Sequence, residues 1–164
     1  MGSINWGNLL FGFSGRINRA KWWLTVLVSI IISVLAAIIA AIVGETLGNL
    51  VSIAAFIPQF WISLAAGVKR LHDLNRTGAW LVLFYIGPVV LLIFFFVVAG
   101  VDVAAALVSG ETLDSGTIAR IGMAGGIVFL LIFILGIWAL IWFGCLRGTV
   151  GPNQYGPDPL EGRV

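Results

Sequence analysis

Four apolar stretches, at residues 22–43, 50–68, 79–99 and 121–146, constrain this chain more than anything else in it. Each is long enough to cross a hydrocarbon core of about 30 Å, which takes roughly 20 helical residues at 1.5 Å per residue. Only 10% of the 164 residues are charged and the mean hydropathy is +1.11, far outside the range of a water-soluble domain. The expected fold is all-α: a polytopic membrane protein with four transmembrane helices in a single membrane domain over 1–164. An interfacial N-terminal segment at 6–21 and a turn-rich C-terminal tail at 147–164 flank it. The first stretch exceeds the 7–15 apolar residues of a secretory signal, so it reads as an anchor that stays in the protein.

Charge placement sets the expected orientation. Arg16, Arg19 and Lys21 precede the first span, Lys69, Arg70 and Arg76 join the second to the third, and Arg147 and Arg163 follow the fourth. Glu45, and then Asp102, Glu111, Asp114 and Arg120, occupy the other two connections. Eight of the nine basic residues thus fall on one side, which the positive-inside rule assigns to the cytoplasm, with both termini inside. Trp22, Trp23, Trp80 and Trp142 sit at the basic-side ends of their spans, where amphipathic rings meet the headgroup layer.

The densest polar run is Lys69-Arg70-Leu71-His72-Asp73-Leu74-Asn75-Arg76, between the second and third spans. Asn75 suits the left-handed position after a helix end, and Thr77 suits the cap of the next helix, so a tight helical hairpin is expected. If the second span stays helical through Asp73, Lys69 and Arg70 lie four and three residues before it and can meet it on one face. Cations there also oppose the helix dipole. A sharper reading makes an anion or headgroup site of Arg16, Arg19, Lys69, Arg70, His72 and Arg76, with Asp73 orienting one of them. His72 is the only histidine, and neighbouring residues on a helix point about 100° apart, so a His72–Asp73 catalytic dyad has poor geometry. No catalytic residue is assigned.

One histidine and two aspartates at unrelated spacing do not make a metal site, and Cys145, the only cysteine, allows no intrachain disulfide and no cysteine cluster. No cofactor is implied. The net charge of +2 is too small to point to nucleic acid.

Pro58 and Pro88 both fall roughly 15 Å from the basic-side ends of their spans, counting 1.5 Å per residue, and each removes a backbone hydrogen bond. With Gln59 they form a candidate cavity of the transporter kind. Against it, no Asp, Glu, Lys, Arg or His lies deep in any span, and ion-coupled transport ordinarily needs one. Ala36, Ala37, Ala40 and Ala41, and Gly122 with Gly126, provide small faces for close helix packing within one chain or between copies, so a homo-oligomer is one possible assembly.

Ahead of the first span, Trp6-Gly7-Asn8-Leu9-Leu10-Phe11-Gly12-Phe13 is apolar but too short to cross and suits the interface, and Asn18 suits the cap of the helix that follows. Residues 148–159 hold three prolines and three glycines and cannot be helical. Two readings of this tail stand side by side: a disordered segment, or one in which Tyr155 and the prolines dock on the basic hairpin to complete a cytoplasmic cap.

Three segments carry a resemblance: Phe13-Ser14-Gly15-Arg16-Ile17-Asn18-Arg19 with Trp22-Trp23; Lys69-Arg70-Leu71-His72-Asp73 with Arg76-Thr77-Gly78 and Trp80; and Gly151-Pro152-Asn153-Gln154-Tyr155-Gly156-Pro157-Asp158-Pro159. In order and spacing they resemble the bacterial inner-membrane family known as domain of unknown function 805, the YhaH-like proteins. The resemblance implies a small polytopic protein of the bacterial plasma membrane and brings no activity with it. Relatives tend to carry Gly where Asn75 stands, a polar residue at Leu74 and an acidic one near Lys21, so a salt-bridge partner for Arg16 or Arg19 is absent there.

The leading functional expectation is a non-enzymatic accessory or scaffold protein that binds anionic lipid or a membrane-protein partner at the basic cap. A small transporter or channel at Pro58, Gln59 and Pro88 is the alternative, and a lipid-modifying enzyme built on His72 and Asp73 comes third.

Overall fold

Asn18 starts the first long helix by accepting a hydrogen bond from the Lys21 N–H at 2.9 Å, the geometry of an N-cap. In the computed structural model, which describes residues 5–110 and 112–161, the elements in order are α1 (Trp6–Phe11), α2 (Arg19–Val43), α3 (Glu45–Asp73), a single 3-10 turn (Gly78–Trp80), α4 (Leu81–Ser109) and α5 (Ser115–Leu140), which ends in a π-helical turn (Ile141–Cys145). Glu111 and Arg163, both counted above among the flanking charges, lie outside the described residues. Four of these helical stretches are long and apolar enough to cross a membrane. The helices extend past their apolar stretches at one end or at both: α2 begins earlier, at Arg19, α3 covers Glu45–Asp73, α4 continues to Ser109, and α5 begins earlier, at Ser115.

One compact unit holds α1, α2, α3 and the segment from Ile141 onward; the other holds Val82–Leu140. In the first, α2 and α3 form an antiparallel hairpin through one residue, Gly44, whose φ of +85° is open to glycine and strained for a side chain. The two helices then pack closely. A Cβ on Gly48 would lie 2.8 Å from the Ala40 carbonyl oxygen, so the small-residue face that includes Ala40 is used inside the chain. Midway along the hairpin the Ser33 hydroxyl donates to Gln59 Oε1 at 2.6 Å, while Gln59 Nε2 donates to the Ala55 carbonyl at 3.0 Å. Both α3 and α4 continue helically through their prolines, Pro58 and Pro88.

The far end of α3 closes with a Schellman arrangement. Asn75 takes φ +55°, its N–H donates to His72 O at 3.0 Å, and the Arg76 N–H donates to Leu71 O at 2.8 Å. Thr77 then caps the 3-10 turn. Outward side chains of α2 such as Ile30, Ile31, Val34, Leu35 and Ile38 are about half exposed, as a lipid-facing surface requires.

In the second unit α4 and α5 meet through large rings and glycine. Phe84 and Trp138 lie edge to face at 5.5 Å, and a Cβ on Gly125 would touch the Phe95 ring at 3.3 Å. Asp114 caps α5, accepting from the Thr117 N–H at 2.9 Å and its hydroxyl at 2.7 Å. Gly122 and Gly126 face open space.

Candidate functional site

The last turn of α3 places four polar side chains in succession, and the helix period sends them to different partners. Asp73 is the centre. Its Oδ2 accepts from Arg70 Nη1 at 2.6 Å, three residues back on the same helix, and its Oδ1 accepts from Arg16 Nε at 3.1 Å. All three side chains are almost wholly buried. Two guanidinium groups on one carboxylate leave a net positive charge, and backbone carbonyls share it. Arg16 donates from Nη1 to Gly151 O at 2.7 Å and from Nη2 to Thr149 O at 2.6 Å. Arg70 donates from Nε to Phe143 O at 2.8 Å and from Nη2 to Leu146 O. Those last two oxygens belong to the end of the fourth span, where carbonyls no longer find helical partners and carry the negative end of the dipole.

Lys69 follows the same logic at another helix end. It is fully buried, and its ammonium donates to Leu9 O at 2.8 Å and to Asn8 O, carbonyls in the final turns of α1. The ion pair expected between Lys69 and Asp73 is therefore not formed, because Asp73 turns toward Arg16. Arg16, Lys69 and Arg70, named above as candidates for a headgroup site, are buried among partners of this chain. Their donors are engaged within the chain, and burying them without those partners would be prohibitive.

His72 points away from Asp73. Its Nδ1 lies 3.2 Å from Gly15 O, and its ring stacks on Tyr155 with centroids 3.9 Å apart and planes within 4°. The tail is pinned around that stack: the Thr149 N–H donates to Asp73 O at 2.8 Å, and Asn153 Nδ2 donates to His72 O at 2.9 Å. Gly148 fits because it lacks a side chain, since a Cβ there would run into the Asp73 carboxylate. Of the two readings of the tail, docking on the hairpin is the one observed.

The remaining cations stand outside this knot. Arg19 is exposed, with one long contact of 3.4 Å from Nη1 to Cys145 O. Arg76 is exposed, its guanidinium carbon 6.0 Å from the Trp142 ring centre. Around them Trp22 packs on Trp23 at 4.9 Å, Trp23 Nε1 donates to Gly144 O at 3.2 Å, and Trp80 meets Trp142 at 5.4 Å.

Of the candidate cavity residues, Pro58 and Gln59 belong to the first unit and Pro88 to the second. The Gln59 amide is committed to Ser33 and Ala55, as a packing residue would be. Sequence reasoning missed the partners of Arg16 and Lys69, which lie 57 and about 60 residues away, and it counted Arg147 as a flanking charge and Gly148 and Thr149 as tail without assigning any of them to the site. Those three follow directly on the apolar stretch of the fourth span, which was the only available signal.

A family model described as "Protein of unknown function (DUF805)" matches residues 10–106. The chain is 40% identical over 90 residues to the inner membrane protein YhaI of Escherichia coli K12, covering 51% of this chain and 73% of that protein. It is 28% identical to the uncharacterized protein YiiR of the same organism over 93% of this chain and 88% of that one, and 25% identical to the inner membrane protein YhaH over 90% and 87%. No solved structure matches.

Proposed function

Because the chain belongs to the DUF805 family of proteins of unknown function and carries four membrane-crossing helices, we propose that it is a non-enzymatic accessory protein of the bacterial inner membrane. In this reading both termini lie in the cytoplasm and the cap binds anionic lipid headgroups. One observation carries it. The groups suited to proton transfer are committed inside the cap, Asp73 between two arginines and His72 beneath Tyr155, whereas Arg19, Arg76 and Arg147 remain exposed, Arg76 against the Trp142 ring and Arg19 one turn before Trp22 and Trp23. Exposed cations at headgroup depth are each worth about 1 kcal/mol of attraction to an anionic leaflet.

The test places the full chain in nanodiscs of mixed phosphatidylcholine and phosphatidylglycerol and measures the preference of spin-labelled lipids for its surface. The parent is expected to favour phosphatidylglycerol, and a triple Arg19→Gln, Arg76→Gln, Arg147→Gln variant to lose at least about tenfold of that preference, given about 1 kcal/mol per cation. Equal preference in both removes the lipid reading.

A further inference from the structure

One cleft, of about 200 Å³, opens beside the buried ion cluster. Its walls include Arg19, from the start of α2, and Arg147 with Gly148 and Thr149, from the segment after the fourth span; Asp73 and Asp158 line it as well. Both carboxylates are engaged. Asp73 holds Arg16 and Arg70, while Asp158 accepts the Gly151 N–H through Oδ2 and the Leu160 N–H through Oδ1, each at 2.9 Å. Four arginines therefore stand around two aspartates, and among the described residues neither Arg19 nor Arg147 forms an ion pair. The cleft is left with positive charge and two guanidinium groups whose planar forks suit a phosphate.

Its size and depth narrow the ligand. At about 200 Å³ it is smaller than the roughly 300–1,000 Å³ of pockets for drug-sized molecules. Arg19 lies one turn before Trp22 and Trp23, whose rings mark the headgroup layer. We infer that this cleft binds a single phosphate-class anion between Arg19 and Arg147, the phosphate of a membrane lipid or a free phosphate ion. The inference rests on the headgroup-binding reading above and gives it a defined seat.

The test uses the full chain, purified in a neutral detergent, in four forms: parent, the double variant Arg19→Gln with Arg147→Gln, Arg76→Gln alone, and Arg120→Gln alone. Native mass spectrometry reads retained phosphatidylglycerol, phosphorus NMR reads added inorganic phosphate, and a thermal melt confirms that all four are equally folded. The double variant should lose at least tenfold in bound phosphatidylglycerol, Arg76→Gln clearly less than the double variant, and Arg120→Gln should stay close to parent. A double variant that loses the inorganic phosphate signal but keeps the lipid identifies free phosphate as the ligand. The inference is overturned if the double variant keeps both ligands, or if Arg120→Gln weakens binding as much. A loss confined to Arg76→Gln overturns the cleft and leaves the headgroup reading standing; no binding in any form overturns both.

Discussion

Arg16 and Asp73, 57 residues apart in sequence, are joined at 3.1 Å with 1% and 3% of their side chains exposed. That contact ties the segment ahead of the first span to the end of the second, and through Arg16 to the carbonyls of the C-terminal tail. Several measurable consequences come from it and from its neighbours.

Asp73→Asn leaves two buried guanidinium groups facing a neutral amide. Removing one partner of a buried ion pair costs about 3–5 kcal/mol, so the variant is expected to melt well below the parent in detergent when followed by circular dichroism. Adding Arg16→Gln should recover part of the loss, since the two positions act on one another. A single variant as stable as the parent would show that the cluster does not hold the cap.

Gly148→Ala drives a methyl group into the Asp73 carboxylate. Overpacking of this kind costs about 1–3 kcal/mol. Gly126→Ala, where the added methyl meets open space, provides the comparison and should leave the melting temperature nearly unchanged.

Tyr155 holds the tail through its face on His72. Tyr155→Phe preserves that face and should keep the tail resistant to limited proteolysis, whereas Tyr155→Ala loses about 0.5–1.5 kcal/mol of ring contact and should expose residues 148–160 to cleavage. Equal protection in the two variants would assign the docking to Thr149 and Asn153 alone.

The Asp158 carboxyl is held below its ordinary value of 3.8, first by the Leu160 N–H and then by the Gly151 N–H. A depressed carboxylate stabilises the fold fully above its unfolded pKa, and that contribution disappears as pH falls through the lower folded value. The amide resonances of Gly151 and Leu160 should therefore move together below about pH 4, the ordinary carboxylate range. In Asp158→Asn that movement should vanish; if it persists, another acid governs the turn.

Orientation has its own test. In a Cys145→Ser background, a cysteine replacing Gln154 should react with an impermeant maleimide only after the inner membrane is broken, and one replacing Ser109 should react in intact spheroplasts. The reverse pattern would invert the proposed topology.

What the sequence revealed and what it hid divide along a physical line. Asn18, Asn75 and Thr77 were readable as caps because each bonds backbone within a few residues, and span length follows from apolar content alone. Arg70 was readable as a neighbour of Asp73 one turn on, but the distant partners of Lys69 and Arg70 were not. Their acceptors are main-chain carbonyls at helix ends, which every residue type supplies and no composition marks. Arg16 was visible as a charge and misread as a free one, because its carboxylate partner lies a whole helical hairpin away. Gly148 gave no sign, since the reason for a missing side chain lies in what stands opposite it.

Arg16 also sets a timetable. It is made early, yet its acceptors are Asp73 and then Thr149, Gly151 and Gly156, so its bonds complete only after residues 149–156 leave the ribosome. Until then the first helices sit in the bilayer with a cationic end in water and an unfinished seal. Translation halted before residue 149 therefore yields a nascent protein in which Arg16 lacks its Thr149, Gly151 and Gly156 acceptors.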